Sequence, residues 1–190
     1  TIVGSPDVKG NGKVGNSMFI TDDGDGFIVP HKDSFNFSAT DSYTLTAWIK
    51  ADSFGGWRSI ATKNRDDSGL QYYGLFLNSN KLTFAMGVRT VGGVKSWPAI
   101  STKIEAGEWY HVALVQDGEA GKSYMYLDGA LVGTADATYD YTGSTPWEIG
   151  GRLSKGEEYF KGGIDELKLY NIALEAEEIE SEYKDQQAAN

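Results

Sequence analysis

The sequence contains no cysteine. That absence excludes a disulfide framework, a thiolate zinc centre and a cysteine nucleophile together. It does not choose between a secreted and a cytosolic chain. Histidine is nearly as scarce. His31 and His111 are the only two, and they form no His-x-x-x-His pair of the kind that holds a catalytic metal. Positive charge is in deficit: Lys and Arg number 17 against 27 Asp and Glu, a formal charge of −10 with a pI near 4.6. Nucleic-acid-binding surfaces are basic, so this balance argues against nucleic acid as a partner, and it disfavours anionic membranes and strongly acidic polymers. Proline is limited to four residues, and no apolar run is long enough to span a bilayer. Membrane insertion is not expected. No signal peptide is visible, and a chain opening at Thr1 is expected to be a mature or excised domain.

What is present is enough for one globular unit. The 190 residues, 40% of them hydrophobic and 13% aromatic, predict a single domain over 1–190 with a substantial core. The 24 glycines predict many turns. Strand signatures recur along the chain at short intervals. Residues 1–16 read as an irregular lead-in. Ser17–Ile20 and Phe27–Pro30 flank the turn Thr21–Gly26. Tyr43–Lys50 alternates, with Tyr43, Leu45, Ala47 and Ile49 on one face. Ala51–Arg58 reads as a loop from its Asp, Ser and paired glycines, and Ser59–Lys63 as a short strand. Tyr72–Asn78 and Lys81–Val88 form a hairpin about Ser79-Asn80. Further strands are predicted at Val94–Ser101, Trp109–Asp117, Lys122–Asp128, Ala130–Ala135 and Trp147–Gly151.

The closing stretch is Gly162-Gly163-Ile164-Asp165-Glu166-Leu167-Lys168-Leu169-Tyr170-Asn171. Leu167 and Leu169 alternate with polar neighbours, and the two glycines predict a turn or a close backbone approach. Asp165 shares the parity of the leucines. A carboxylate directed inward must be paired, hydrogen-bonded or bound to a cation. Leu174, Ile179 and Tyr183 then make a short helical stripe, and Lys184–Asn190 reads as a frayed tail or linker. Short strands with Gly/Asp/Asn turns predict an antiparallel sandwich or barrel.

Six segments in order resemble a known family. They are Phe19…Asp25-Gly26-Phe27-Ile28-Val29-Pro30, Tyr43–Lys50, Gly107-Glu108-Trp109-Tyr110-His111-Val112-Ala113, Tyr126-Leu127-Asp128-Gly129, Gly163–Asn171, and Ala173-Leu174…Glu178-Ile179. Together, over roughly residues 12–183, they resemble the laminin-G-like branch of the concanavalin A-like lectin/glucanase superfamily. The resemblance implies an all-β jelly roll of two packed antiparallel sheets, here with a short C-terminal helix. It implies an extracellular setting, often as a carbohydrate-binding module of a secreted enzyme or as an adhesion domain. It also implies one structural Ca²⁺ near the meeting of the first and last strands.

Calcium takes several oxygens from carboxylates, carbonyls and water. The turn Thr21–Gly26 offers Asp22, Asp23 and Asp25, but lacks the terminal Glu and flanking helices of an EF-hand. The expected metal ligands are Asp23, Asp25 and Asp165, of which Asp25 and Asp165 best match the family's calcium region. The competing reading is turn chemistry, with Asp165 accepting backbone hydrogen bonds.

A sugar presents C–H faces that stack on aromatic rings and hydroxyls that need fixed polar partners. Three clusters have that character: Trp57-Arg58; Arg89 and Trp97 about Gly92-Gly93; and Tyr139, Tyr141 and Arg152. Tyr72, opposite in parity to Tyr73, Leu75 and Leu77, adds a fifth aromatic, on the strand beside small residues Thr83, Ala85 and Gly87 that could form a ligand floor. Trp48, Trp109 and Trp147 read as core. His111 on its strand reads as a hydrogen-bonded structural residue. No Ser/His/Asp elbow, no Glu-x-Asp-x-x-Glu strand and no Arg-x-Glu-x-Arg or Gln-x-His pattern is present. The sequence thus predicts a non-catalytic, calcium-stabilised, monomeric carbohydrate-binding module. Its expected partners are an oligo- or polysaccharide and the other domains of a secreted or cell-surface parent. An adhesion or spacer domain, and a polysaccharide lyase or glycoside hydrolase, are the alternatives.

Overall fold

The computed structural model describes residues 1–10, 12–63, 73–86, 99–136, 138, 140–141 and 143–189. Its strands are β1 (Ile2–Val3), β2 (Asp7–Gly10), β3 (Asn16–Ile20), β4 (Gly26–Val29), β5 (Tyr43–Ala51), β6 (Trp57–Lys63), β7 (Tyr73–Asn78) and β8 (Lys81–Met86), followed by β9 (Ala99–Lys103), β10 (Trp109–Asp117), β11 (Lys122–Leu127), β12 (Ala130–Ala135), β13 (Trp147–Ile149) and β14 (Gly162–Tyr170). One α-helix, α1 (Ala176–Ala188), closes the chain. The strands form two seven-stranded sheets, ordered β1-β4-β13-β6-β7-β8-β9 and β12-β11-β10-β5-β14-β3-β2. Every strand pairing in both is antiparallel. The result is a jelly-roll sandwich.

Alternation along the long strands decides what the sheets enclose. Tyr43, Leu45, Ala47 and Ile49 of β5 face Leu75 and Leu77 of β7 across a core that also takes Val112 and Leu114 of β10. Tyr73, Tyr43, Tyr141 and Phe37 form an aromatic cluster in it, with Tyr73 and Tyr141 ring centroids 4.5 Å apart. Burying each aliphatic or phenylalanine side chain of this core is worth about 1.5–3 kcal/mol.

The outer face of the second sheet is also covered. Trp48 and His111 are directly opposed in register and point away from the main core. Helix α1 lies over them: the Tyr183 ring is tilted against Trp48 with centroids 5.6 Å apart, and the Trp48 indole N–H donates to Gln186 Oε1 at 2.6 Å. Glu182 Oε1 accepts from Thr46 Oγ1, Lys168 Nζ and Gln186 Nε2. Ile179 completes a second small core with Ala113, Val115 and Tyr126. A capping box between Glu175 and Glu178 starts the helix.

Several expectations change here. The lead-in contains β1 and β2, and Trp57-Arg58 opens a strand instead of ending a loop. The tail after Tyr183 is helical through Ala188, because Gln186 has a buried partner in Trp48. Trp147 is core, Trp48 is buried under the helix, and Trp109 is only half-buried, edge-on to Phe19. The parity of Asp165 also changes. A bulge between Asp165 and Lys168, with Glu166 at φ +48, inserts one residue into β14. Ile164, Leu167 and Leu169 therefore face the core, while Asp165 lies on the outer face opposite Trp48.

Candidate functional site

Three segments meet at the end of the sandwich where β5 finishes and β6 and β14 begin. The loop 52–56 brings Ser53, the turn 21–25 brings Asp23, and 157–161 brings Glu158, Tyr159 and Lys161. Arg58 enters from β6. These six residues line a cleft of about 390 Å³, within the range of about 300–1,000 Å³ usual for small-ligand sites.

Backbone hydrogen bonds hold the walls. Asp52 N–H donates to Lys161 O at 3.0 Å, and Ser79 N–H to Gly55 O at 2.8 Å. Ser59 N–H donates to Glu158 O at 2.9 Å, and its hydroxyl to Glu158 Oε2 at 2.7 Å. Phe160, wholly buried, anchors the 157–161 segment in the core. Glu158 sits at φ +55, uncommon for a residue with a side chain. Arg58 Nη1 donates to Trp57 O at 3.1 Å. Lys161 Nζ lies 3.3 Å from Asp23 Oδ1.

The candidate sugar-binding residues divide. Trp57 and Arg58 are at this end, but adjacent strand residues point to opposite faces. Arg58 turns into the cleft. Trp57 does not line it; it is 46% exposed, with its ring edge-on to Phe76 at 6.1 Å. Arg152 does not line the cleft. It pairs with Glu157 at 2.6 Å and braces the turn that carries Glu158 and Tyr159. Tyr141 is buried in the core and offers no ring to a ligand. Thr83 is buried as well. Tyr72, Arg89, Trp97 and Tyr139 lie outside the described residues, as does Gly87 of the expected floor. Sequence reasoning missed Ser53, Glu158, Tyr159 and Lys161. The signal was Glu157-Glu158-Tyr159-Phe160-Lys161, a charged aromatic run between Gly156 and the Gly162-Gly163 pair.

The three expected calcium ligands do not converge. Among the described residues no group of three or more His, Cys, Asp or Glu is placed to hold a metal. Asp165 Oδ2 accepts the Val14 N–H and Oδ1 the Glu166 N–H, each at 2.9 Å. Asp25 Oδ1 accepts the Ser5 N–H at 2.8 Å, and Asp23 meets Lys161. Asp23, Asp25 and Asp165 thus do not fit a single ion. The two buried acids tie the N-terminal segment to β4 and β14 through amide hydrogen bonds, so the joining of chain ends expected of calcium has a carboxylate basis here.

His111 is wholly buried, and neither ring nitrogen has a hydrogen-bond partner. Its backbone is bonded to Asp128 in both directions: the His111 N–H donates to Asp128 Oδ1 at 2.9 Å, and the Asp128 N–H donates to the His111 carbonyl at 2.8 Å. The expected hydrogen-bonded histidine is instead packed among Trp48 and Tyr183. Burial lowers its pKa to about 4, against the opposing pull of Glu182. It is a neutral packing residue, out of reach of a substrate.

A family model described as Laminin_G_3, of the concanavalin A-like lectin/glucanases superfamily, matches residues 22–180. The chain belongs to that family. No curated protein matches the sequence. Among solved structures, this laminin-G-type domain is similar to the binding domain of Paraclostridial Mosquitocidal Protein 1, with a TM-score of 0.76 and 16% identity over 97% of this chain and 47% of that one. It is similar to the Ruminococcus gnavus IT-sialidase CBM40 bound to α2,3-sialyllactose, with a TM-score of 0.70 and 17% identity over 88% and 96% of the two chains. It is also similar to domain 4 of AbnA, a GH43 extracellular arabinanase from Geobacillus stearothermophilus, in complex with arabinotriose; there the TM-score is 0.64 and identity 21%, over 94% and 81%. The laminin-G-type chain spans about half the length of the toxin binding-domain structure. The TM-scores show the shared sandwich, and at these identities the likeness is of fold alone. No helix among the described residues of the family member is long and apolar enough to cross a membrane.

Proposed function

We propose that this domain is a non-catalytic carbohydrate-binding module of a secreted or cell-surface multidomain protein, taking an oligo- or polysaccharide at the end cleft. The observation that carries the reading is the composition of that cleft: a guanidinium, an ammonium, two carboxylates and two hydroxyls converge beside the Tyr159 ring. A sugar needs this mixture, since each hydroxyl both donates and accepts while the C–H face seeks an aromatic surface. Trp57, exposed and adjacent in sequence to Arg58, offers a second aromatic surface for further sugar units. The fold neighbours support the reading, because a carbohydrate-binding module bound to sialyllactose and an arabinanase domain bound to arabinotriose share the sandwich. Monomeric action suits a site built from one chain.

Tyr159→Ala and Trp57→Ala test the site. Each is expected to weaken glycan binding by about tenfold, or about 1.4 kcal/mol, measured by calorimetry, with the circular dichroism spectrum unchanged. Binding at wild-type strength by both folded variants would place the sugar elsewhere.

Structural calcium is part of the proposal in a restricted form, at the Asp25 carboxylate with backbone carbonyls and water supplying the other oxygens. At a hundredfold excess over its Kd such an ion stabilises the fold by about 2.7 kcal/mol. Chelation should therefore lower Tm by about 5–10 °C for a domain of this size. An identical melting curve in chelator would remove calcium from the account.

A further inference from the structure

We infer that the end cleft selects glycans bearing a carboxylate, with Arg58 as the group that reads it. This rests on the cleft being the glycan site, and it adds the chemical class of the sugar.

The charged groups of the cleft are unequally engaged. Glu158 is held by the Ser59 hydroxyl and Asp23 by Lys161. Arg58 is different: among the described residues it forms no ion pair, and its one hydrogen bond goes to the carbonyl of Trp57. That bond leaves most of a five-donor guanidinium facing the cleft. The side chain lies against the 52–56 loop. A Cβ at Gly55 would run into Nη2 of Arg58, so the glycine leaves room for the guanidinium to lie against the loop. Gly55 is itself fixed by the hydrogen bond from Ser79 N–H to its carbonyl. A partly buried guanidinium that lies against the Gly55 loop, with one hydrogen bond to a carbonyl and no acid partner among the described residues, is arranged for an anion brought by the ligand.

The form of the anion follows from the neighbours. The planar fork of arginine matches a carboxylate through two parallel hydrogen bonds. Asp23 and Glu158 line the same cleft, and their charges penalise a dianionic phosphate far more than a single carboxylate. The formal charge of the whole chain, −10, repels any anion at long range. Preference for an acidic sugar therefore depends on contact with Arg58 and should vanish with it.

The experiment uses a glycan array that pairs each carboxylated glycan with its uncharged counterpart: uronate oligomers with their methyl esters, and sialylated with desialylated lactose chains. The wild-type domain is expected to bind carboxylated members at least tenfold more tightly than their partners. Arg58→Gln is expected to bring each pair within about threefold, and Arg58→Lys to restore only part of the preference because the fork is lost. Equal binding within pairs, or binding confined to sulfated or phosphorylated glycans, would overturn the carboxylate assignment and leave the cleft as a glycan site. A preference that survives in Arg58→Gln would overturn the role of Arg58. No binding to any glycan by folded protein would overturn the cleft reading and this inference with it.

Discussion

Gly162→Ala is expected to cost about 4 kcal/mol of folding stability, among the larger effects a single methyl group can have. Gly162 opens β14 and is paired on both sides, with Ala51 of β5 and Ile20 of β3. Its φ is +143, and a Cβ there would overlap the Lys50 carbonyl oxygen and crowd the Phe160 ring. The backbone cannot yield, because ladders on both sides fix it. Strained φ alone costs on the order of 1–3 kcal/mol, and displacing a carbonyl from a buried ladder adds to it. Equilibrium denaturation in urea measures the loss. Gly56→Ala is the control: that glycine has open space around it and no left-handed φ, so its change should stay within about 0.5 kcal/mol. Equal costs at the two positions would contradict the close approach at Gly162.

His111 should make the domain acid-sensitive. Its folded pKa is about 4, against an ordinary value of 6.5, because burial disfavours the imidazolium. The unfolded chain therefore binds this proton more readily between those two values. Stability is fully present above pH 6.5, falls as pH drops through the window, and levels off below about 4. A shift of that size corresponds to roughly 3 kcal/mol. The groups around the ring are Trp48 and Tyr183, with Glu182 and Lys168 as the charges that act on it and Asp128 on its backbone. Glu182 favours the imidazolium and Lys168 opposes it, so neither removes the burial cost. His111→Phe keeps an aromatic ring under α1 and removes the titration. Urea denaturation of both proteins at pH 7.5 and pH 4.5 is the measurement. Carboxylates shared by the two proteins cancel, and wild type should lose about 2–3 kcal/mol more than the variant. Parallel losses would show that His111 is protonated in the folded state at no cost.

The sandwich was legible because its long strands alternate cleanly. Tyr43 to Ile49, Tyr73 to Leu77 and Tyr110 to Leu114 each placed their apolar set on the core side, as period-2 geometry requires. The Gly162-Gly163 pair announced a close approach for a different reason, the absence of a Cβ. What alternation cannot carry is a change of register. The bulge after Asp165 leaves the spacing of Asp165, Leu167 and Leu169 intact in sequence and puts them on opposite faces in space. The length of α1 was hidden because its last turn is polar, and Gln186 is buried only through a partner, Trp48, that is distant in sequence.

The site was half legible. Arg58 stood out as a cation among glycines. Tyr159 and Lys161 did not, because a charged aromatic run beside a strand reads equally as strand. Their meeting with Asp23 and Ser53 is made by the fold, from segments far apart in the chain. Asp165 attracted a metal reading for a sound reason, since a buried carboxylate needs compensation. Two backbone N–H groups supply it.

The most direct test of the account is an NMR titration of isotope-labelled domain with the strongest carboxylated glycan from the array, following backbone amide and arginine Nε–H signals. The predicted result is saturable shifts centred on Asp23, Ser53, Arg58, Tyr159 and Lys161, with the amides of β10 and β11 unmoved. Shifts centred on the outer strand faces, with the 52–58 and 157–161 segments silent, would contradict a glycan site at the end of the sandwich.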